Sequence, residues 1–371
     1  NGGVVADQAT NNATLTYTLP NTASINIDGV VPTITSVVPP ANATYKYADD
    51  VDFTVNFDDN VDITGTPQIE ITLNSGTVYA DYLSGTGSSA IIFRYTVAGG
   101  NLDMDGITLV TPVGLNSGTI RDTNLNDATL TYTLPNTSAI NIDGIVPLIT
   151  SVTPPANATY KIGDNVDFIV NVDTVVNVTG SPRIEVVLGS GSVYADYFSG
   201  TGSANLTFRY TVSASDLDTD GVTLVSPLEL NGGMIRDSSL NDMDPTYTLP
   251  NTSSVNIDGI VPLISSVTPP ANATYKVGDN VDFVVNYNDS VDVTGTPRVE
   301  ITLGSGTVYA DYFSGTGTAN LTFRYVVSAT DEDVDGVLLT TPLELNAGTL
   351  KDTNLNDSSL TYTLPNTTGV I

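Results

Sequence analysis

Histidine, cysteine and tryptophan are all absent from these 371 residues, and each absence removes a chemistry. Without imidazole or thiolate there is no Ser-His-Asp or Cys-His nucleophile, no zinc site of the usual ligands and no disulfide. Basic residues are scarce too, with 11 Lys and Arg against 41 Asp and Glu, for a formal charge of -30. So acidic a chain is a poor partner for nucleic acid or an anionic membrane. No apolar run approaches the roughly 18 residues that span a bilayer, and no signal-type segment opens the chain, so direct membrane insertion is not expected. Any export signal or anchor is expected outside this segment. What remains is carboxylate chemistry: acid pairs of the glycosidase kind, or oxygen ligands for a hard cation such as calcium.

The carboxylates are lopsided, 35 Asp to 6 Glu. Charging a surface for solubility would use both residues. Asp is the turn carboxylate, short enough to bond to its own backbone and hold an oxygen at a fixed place, so the excess points to shaped loops.

Self-comparison exposes the organisation. Asn26-Ile27-Asp28-Gly29 recurs 115 residues later from Asn141 and again from Asn256. The same offset carries Ala41-Asn42-Ala43-Thr44-Tyr45-Lys46 onto identical strings at Ala156 and Ala271, and Val78-Tyr79-Ala80-Asp81-Tyr82 onto those at Val193 and Val308. That period is too long for a solenoid or propeller blade and suits a whole domain. The expected division is a partial repeat over 1–29, then full repeats over 30–143, 144–258 and 259–371. Residues 1–29 align with the end of a repeat, Asn1-Gly2-Gly3 with Asn231-Gly232-Gly233 and Leu15 to Pro20 with Leu130 to Pro135. They read as the last strands of a preceding domain, as in a piece of a longer array.

Within a repeat the period is two, as in Val51-Asp52-Phe53-Thr54-Val55-Asn56-Phe57 and Gln68-Ile69-Glu70-Ile71-Thr72-Leu73. Alternation with β-branched and aromatic enrichment predicts half-buried strands, and Asn74-Ser75-Gly76, Ser84-Gly85-Thr86-Gly87 and Asn116-Ser117-Gly118 predict turns between them. No helical stretch is found. About seven or eight short strands per repeat predict an all-β fold of tandem immunoglobulin-like antiparallel β-sandwich domains in a linear array. Pro32, Pro147 and Pro262 stiffen each crossing.

The ordered phrases Val-Pro-x-Ile, Asp-Phe-x-Val-Asn, Val-Thr-Gly-x-Pro, Phe-Arg-Tyr-x-Val, Asp-x-Asp-Gly, Leu-Asn-x-Gly and Ile-Asp-Gly span nearly the whole chain. In this order they resemble the bacterial Ig-like repeats that form the stalk of giant RTX-type surface adhesins. The resemblance implies an extracellular, cell-surface, non-catalytic stalk that binds calcium in loops and at domain junctions and projects a distal adhesive domain. Here the linker reads Asp28-Gly29-Val30-Val31-Pro32 in place of the commoner Val-Asp-Thr-x-Ala-Pro.

Two groups of residues are candidates for calcium. The first is Asp216-Leu217-Asp218-Thr219-Asp220-Gly221, repeated with Asp331, Asp333 and Asp335 and, with one amide, as Asn101, Asp103 and Asp105. A D-x-D-x-D-G loop curls so that its side chains one, three and five converge, the glycine permitting the sharp turn and the carbonyl of Ile107, Val222 or Val337 adding a ligand. The twelfth position is Pro112, Pro227 or Pro342, so no bidentate Glu closes the shell and other loops must complete it. A plain acidic turn competes, but such crowded charges repel unless a cation sits among them. The second group lies near the junctions: Asp28, Asp143 and Asp258 in the linkers, Asp122 with Asp127, Asp237 with Asp242, Asp352 with Asp357, and the nearby Asp49-Asp50-Val51-Asp52. In an Ig-like repeat the loops at one pole face the linker, so a calcium there is expected to draw on both neighbours; ordinary Asx turns and strand-edge charges compete.

Glu70 and Arg94, with their copies Glu185 and Arg209, Glu300 and Arg324, suggest a cross-strand ion pair. A Glu70–Asp81 glycosidase pair is set aside, since three near-identical copies without a distinct cleft make a poor enzyme. Tyr79, Tyr82 and their copies could offer aromatic faces to sugars, and Thr129, Thr131 and Thr133 line one strand face; strand alternation and β-propensity explain both. Asn-x-Ser/Thr sequons such as Asn42 arise often where Asn and Thr are common. The sequence thus predicts a calcium-binding stalk whose partners are neighbouring repeats of its own chain, with the distal ligand unknown. The alternative is a filament subunit that exchanges strands with other copies through residues 1–29.

Overall fold

The computed structural model describes residues 2–371; Asn1, and its alignment with Asn231, lie outside the described residues. The chain is all-β, without helix among those residues, and forms two compact units, Asn1–Ile145 and Val146–Ile371. The first unit holds one full repeat and the second holds two.

The first repeat contains β1 (Ile34–Val38), β2 (Ala43–Lys46), β3 (Asp50–Thr64), β4 (Gln68–Leu73), β5 (Gly76–Ser84), β6 (Ser88–Thr96), β7 (Leu102–Asp103), β8 (Thr108–Leu109), β9 (Thr119–Arg121) and β10 (Ile140–Asp143). The large sheet runs β1-β3-β6-β5-β4-β8 with every neighbour antiparallel, and β9 joins the far half of β3. A small sheet, β2-β10-β7, forms the other layer. Alternation fixes which face is core: Val51, Phe53, Val55 and Phe57 point inward along β3, while Asp50, Asp52 and Asn56 face solvent or lie half-buried. Phe53 and Phe93, opposite each other in the β3–β6 register, are fully buried against Ile140 and Ile142 of the small sheet.

Two expectations change. There are ten strands, not seven or eight, and β3 is 15 residues long. An irregularity between Asn56 and Val61 turns it, so that its first half pairs with β6 and its second with β9. The small sheet is also not wholly antiparallel, because β10 runs parallel to β2 and antiparallel to β7. A strand late in the repeat crosses over the top of the sandwich and returns beside an early one, which requires a parallel pair.

The second repeat reproduces all of this from Ile149–Thr153 to Val255–Asp258. The third has the large sheet, from Ile264–Thr268 to Thr349–Lys351, but its small sheet is reduced to one bridge between Ala273 and Val370. Residues 2–29 form no strand, only an Ala6–Asn12 bridge. Ile27 is 93% exposed, while its counterparts Ile142 and Ile257 are fully buried.

Each repeat has its own core cluster. Phe168→Ala in the second should therefore cost about 3–5 kcal/mol and shift only that repeat's share of the unfolding heat. Calorimetry checks this, and a uniform downward shift of the whole endotherm would mean that the cores are not independent.

Candidate cation-binding loops and junction carboxylates

The acidic loop between β7 and β8 is built around its middle carboxylate. In the second repeat Asp218 is buried; its Oδ2 accepts the Gly189 N–H at 2.9 Å and its Oδ1 the Gly221 N–H at 2.7 Å. Asp333 does the same with Gly304 at 3.0 Å and Gly336 at 2.7 Å. Asp103 accepts from Asn74 N at 3.0 Å, but its Oδ1 is buried with no partner. This side chain ties the loop to the β4–β5 hairpin turn and its own glycine turn. Gly221 has φ +100°, and a Cβ there would run into the backbone of Ser253, so only glycine closes the turn.

The first position faces elsewhere. Asp216 Oδ2 accepts from the Tyr210 hydroxyl and the Ser213 N–H, Asp331 likewise from Tyr325 and Ser328, and Asn101 Oδ1 from Tyr95 at 2.6 Å and Ala98 N at 2.9 Å. Burial pushes the Tyr95 hydroxyl up to about 12, so it stays a donor at any physiological pH. At the fifth position Asp105 accepts from Asn74 Nδ2 at 2.8 Å, while Asp220 and Asp335 are exposed. The loop thus brings three oxygen-bearing side chains into one short segment, each with its own bonds, and no group of three or more acidic side chains converges for a metal among the described residues. The prolines at the twelfth position follow cis peptide bonds.

The junction carboxylates divide into three kinds. Asp122 is buried and holds its own loop: Oδ1 accepts from Asn124 N at 2.8 Å and Asn126 N at 2.9 Å, and Oδ2 from Asn126 Nδ2 at 2.7 Å. Asp237 and Asp352 repeat the pattern. So does Asp7, in a segment whose apolar side chains are exposed, which marks the loop as a locally encoded motif. The loop holds Leu125, Leu240 and Leu355 at φ near +70°, strain that the carboxylate bonds keep in place. Asp127, Asp242 and Asp357 are surface partners of Arg121, Arg236 and Lys351 at 2.5, 2.5 and 2.6 Å.

The linker carboxylates are the third kind. Asp28 Oδ2 accepts from Asn124 Nδ2 at 2.6 Å, and its carbonyl accepts from Asn126 Nδ2 at 3.5 Å. Within the second unit Asp258 accepts from Asn354 at 2.5 Å and, through its carbonyl, from Asn356 at 2.9 Å. Asn356 Oδ1 in turn accepts the Ile162 N–H at 3.0 Å. The last strand of one repeat is thereby fastened to the Asx loop of the next. Asp143, at the end of β10, accepts from Ile145 N at 3.1 Å. The amides Asn124, Asn126, Asn354 and Asn356 were not singled out by the sequence reading; the spacing Asp-x-Asn-x-Asn was their signal.

The expected Glu70–Arg94 pair does not form, because β5 lies between β4 and β6. Arg94 instead grips Asp52 with two bonds of 2.7 Å and Asp50 at 2.6 Å, and Arg209 and Arg324 hold Asp167 and Asp282. Asp50 and Asp52 are therefore strand residues neutralised by a guanidinium, and Asp49 pairs with Lys46. Tyr194 and Tyr309 lie under the guanidinium groups of Arg183 and Arg298, at 3.7 and 3.6 Å. Tyr82, Tyr197 and Tyr312 pack edge-on against the core rings Phe93, Phe208 and Phe323.

No family model and no curated protein matches the chain. Among solved structures, one described as a marsupial T cell receptor is similar at 9% identity and a TM-score of 0.30, over 82% of this chain and 95% of that one.

Two outcomes follow from this geometry. The side-chain bond from Asn126, with the backbone N–H groups beside it, holds the Asp122 carboxyl below its ordinary range. A depressed folded pKa gives stability that is present above the unfolded value of about 3.9 and is lost as pH falls through the folded one. A carbon-13 carboxyl titration should place the Asp122 midpoint below about 3.9; a midpoint at or above that value would contradict the loop. Asp237→Ala strips two backbone N–H groups of their acceptor and should cost about 1–3 kcal/mol in the second repeat. Asp242→Ala breaks an exposed pair and should cost less than Asp237→Ala in the same denaturant titration.

Proposed function

We propose that the chain is a calcium-binding, non-catalytic stalk segment of a bacterial cell-surface adhesin of the RTX type, extracellular, serving cell adhesion and biofilm by projecting a distal adhesive domain. The observation that carries this reading is the Asp258–Asn354–Asn356 fastening, which joins consecutive repeats through main-chain and carboxylate oxygens instead of a loose linker. A protein whose task is to hold a distance needs fixed junctions, near-identical modules and a charged, soluble surface, and the sequence has the last two outright.

The donor set suits a hard cation: oxygen ligands only, a large excess of carboxylates, and in Asp103 a buried oxygen without a bond. Asp103 and Asp105, Asp218 and Asp220, Asp333 and Asp335 would hold calcium in the loops. Asp28 and Asp258 would hold it at the junctions, beside Asp122 and Asp352. Bound there, calcium neutralises crowded carboxylates and cross-links segments that otherwise repel. Extracellular modules bind it at roughly 0.1–1 mM, and at about ten times the dissociation constant each site adds on the order of 1.4 kcal/mol. Thermal melts with and without chelator test the reading: calcium should raise the transition of each repeat, and magnesium should do so less. Melting temperatures indifferent to calcium would remove the cation from the proposal.

A second reading, a filament subunit exchanging strands through residues 1–29, is favoured by one feature. Val5, Tyr17, Ile25 and Ile27 are exposed although their counterparts Ile120, Tyr132, Ile140 and Ile142 are core residues.

A further inference from the structure

The outer face of the large sheet carries aromatic rings that the core does not use. In the second repeat the strand Gly191–Ser199 turns Ala195 and Tyr197 inward, Tyr197 packing edge-on against the core ring of Phe208, and Tyr194, Asp196 and Phe198 outward. The third repeat does the same with Tyr309, Asp311 and Phe313 on Gly306–Ser314. Two rings with a carboxylate between them thus share one face, over a span of about 13 Å.

These rings are held in place. Arg209, clamped to Asp167 by two bonds of 2.7 Å, lies 3.8 Å from the centre of the Phe198 ring. Arg183, bonded to Glu229 at 2.8 Å, lies 3.7 Å from that of Tyr194. Arg324 with Phe313 and Arg298 with Tyr309 repeat the stacks at 3.7 and 3.6 Å. Each guanidinium is fixed by its own carboxylate, so each ring rests on an ordered cation. The Arg209 and Arg324 side chains are 28% and 26% exposed, against 37% for Arg94, where the counterpart of the phenylalanine is Leu83. The phenylalanine therefore covers the guanidinium, yet Phe198 and Phe313 themselves stay 56% and 55% exposed. In the first repeat Gln68 and Leu83 replace Arg183 and Phe198, and no guanidinium lies over a ring there among the described residues.

The carboxylate between the rings is uncommitted. Asp196 stands opposite Arg183 in one register and Arg209 in the other, but those arginines direct their N–H groups to Glu229 and Asp167. Asp196 and Asp311 are exposed and accept no hydrogen bond from the described residues.

We propose that this face of the second and third repeats binds an uncharged polysaccharide. A pyranose presents a flat face of C–H groups and a rim of hydroxyl donors. The first suits an exposed, immobilised ring, and the second suits a carboxylate that still lacks a donor. Two rings so far apart on one strand are more than a single sugar covers, so the ligand is a chain. An anionic polymer is disfavoured by the uncommitted Asp196 and Asp311 and by the formal charge of -30. Holding the rings in advance lowers the ordering cost of binding, and this separates the second and third repeats from the first.

The inference goes beyond the stalk reading and uses none of the carboxylates assigned to calcium, so either can fail alone. Isothermal titration of the 371-residue chain with cellohexaose and with chitohexaose tests it, hexagalacturonate serving as the anionic probe. At least one neutral hexamer should bind, and its monosaccharide far more weakly. Phe198→Leu combined with Phe313→Leu, a change to the residue that the first repeat already carries, should weaken binding about tenfold. Asp196→Ala combined with Asp311→Ala, on exposed side chains without hydrogen bonds, should weaken it as well. Failure of both neutral hexamers to bind, binding that either pair of substitutions leaves intact, or tighter binding of hexagalacturonate each overturns the proposal.

Discussion

The closing strand of each repeat, β10 and its counterparts, is the interaction on which the rest depends. It places two fully buried isoleucines, or a valine and an isoleucine, against the large sheet and supplies both neighbours of the small sheet with a partner. In the first two repeats it completes the second layer and pins the acidic loop beside it, and in the second its terminal Asp258 reaches the Asx loop of the third.

The acidic side chains obey the opposite rule. Asp122 and its relatives, Asp7 included, satisfy backbone N–H groups within four residues and need no tertiary support. This accounts for the preference for Asp over Glu: one methylene fewer lets the carboxylate reach its own turn. In each large sheet one arginine clamps the strand carboxylate opposite it, Asp52, Asp167 or Asp282, and in the first repeat Arg94 holds Asp50 as well.

The sequence displayed its repeat, its strand alternation and its turns, because near-identity at a fixed offset and the two-residue period depend on nothing beyond the chain. The half-buried alternation of Val51 to Phe57 and the turn at Asn116-Ser117 followed from pattern alone. Partner choice did not follow. Glu70 and Arg94 alternate correctly, yet β5 intervenes, and strand order is a property of the closed sheet. The parallel β2–β10 pair was hidden for the same reason. The candidate site was legible as composition and spacing, and its geometry was not. Asp-x-Asp-x-Asp-Gly gives the ligand types, whereas the directions of Asp216 and Asp218 are set by Tyr210 and by the hairpin turn at Gly189, distant in sequence. The amides of Asn354 and Asn356 escaped notice because their role depends on a carboxylate in the preceding repeat.

The parallel pairing of β2 and β10 also decides how a repeat meets mechanical load. The chain enters a repeat through β1, which pairs with β3, and leaves it directly after β10, so a pull on its ends that has passed β1 draws β2 and β10 in opposite directions along their length. Four aligned residue pairs are then loaded together in shear, and none can part before the others. Antiparallel terminal strands pulled from the same end would open one bond at a time. Because resistance to a pull is governed by the unfolding barrier and not by equilibrium stability, this short ladder contributes more to the force a repeat withstands than its length suggests.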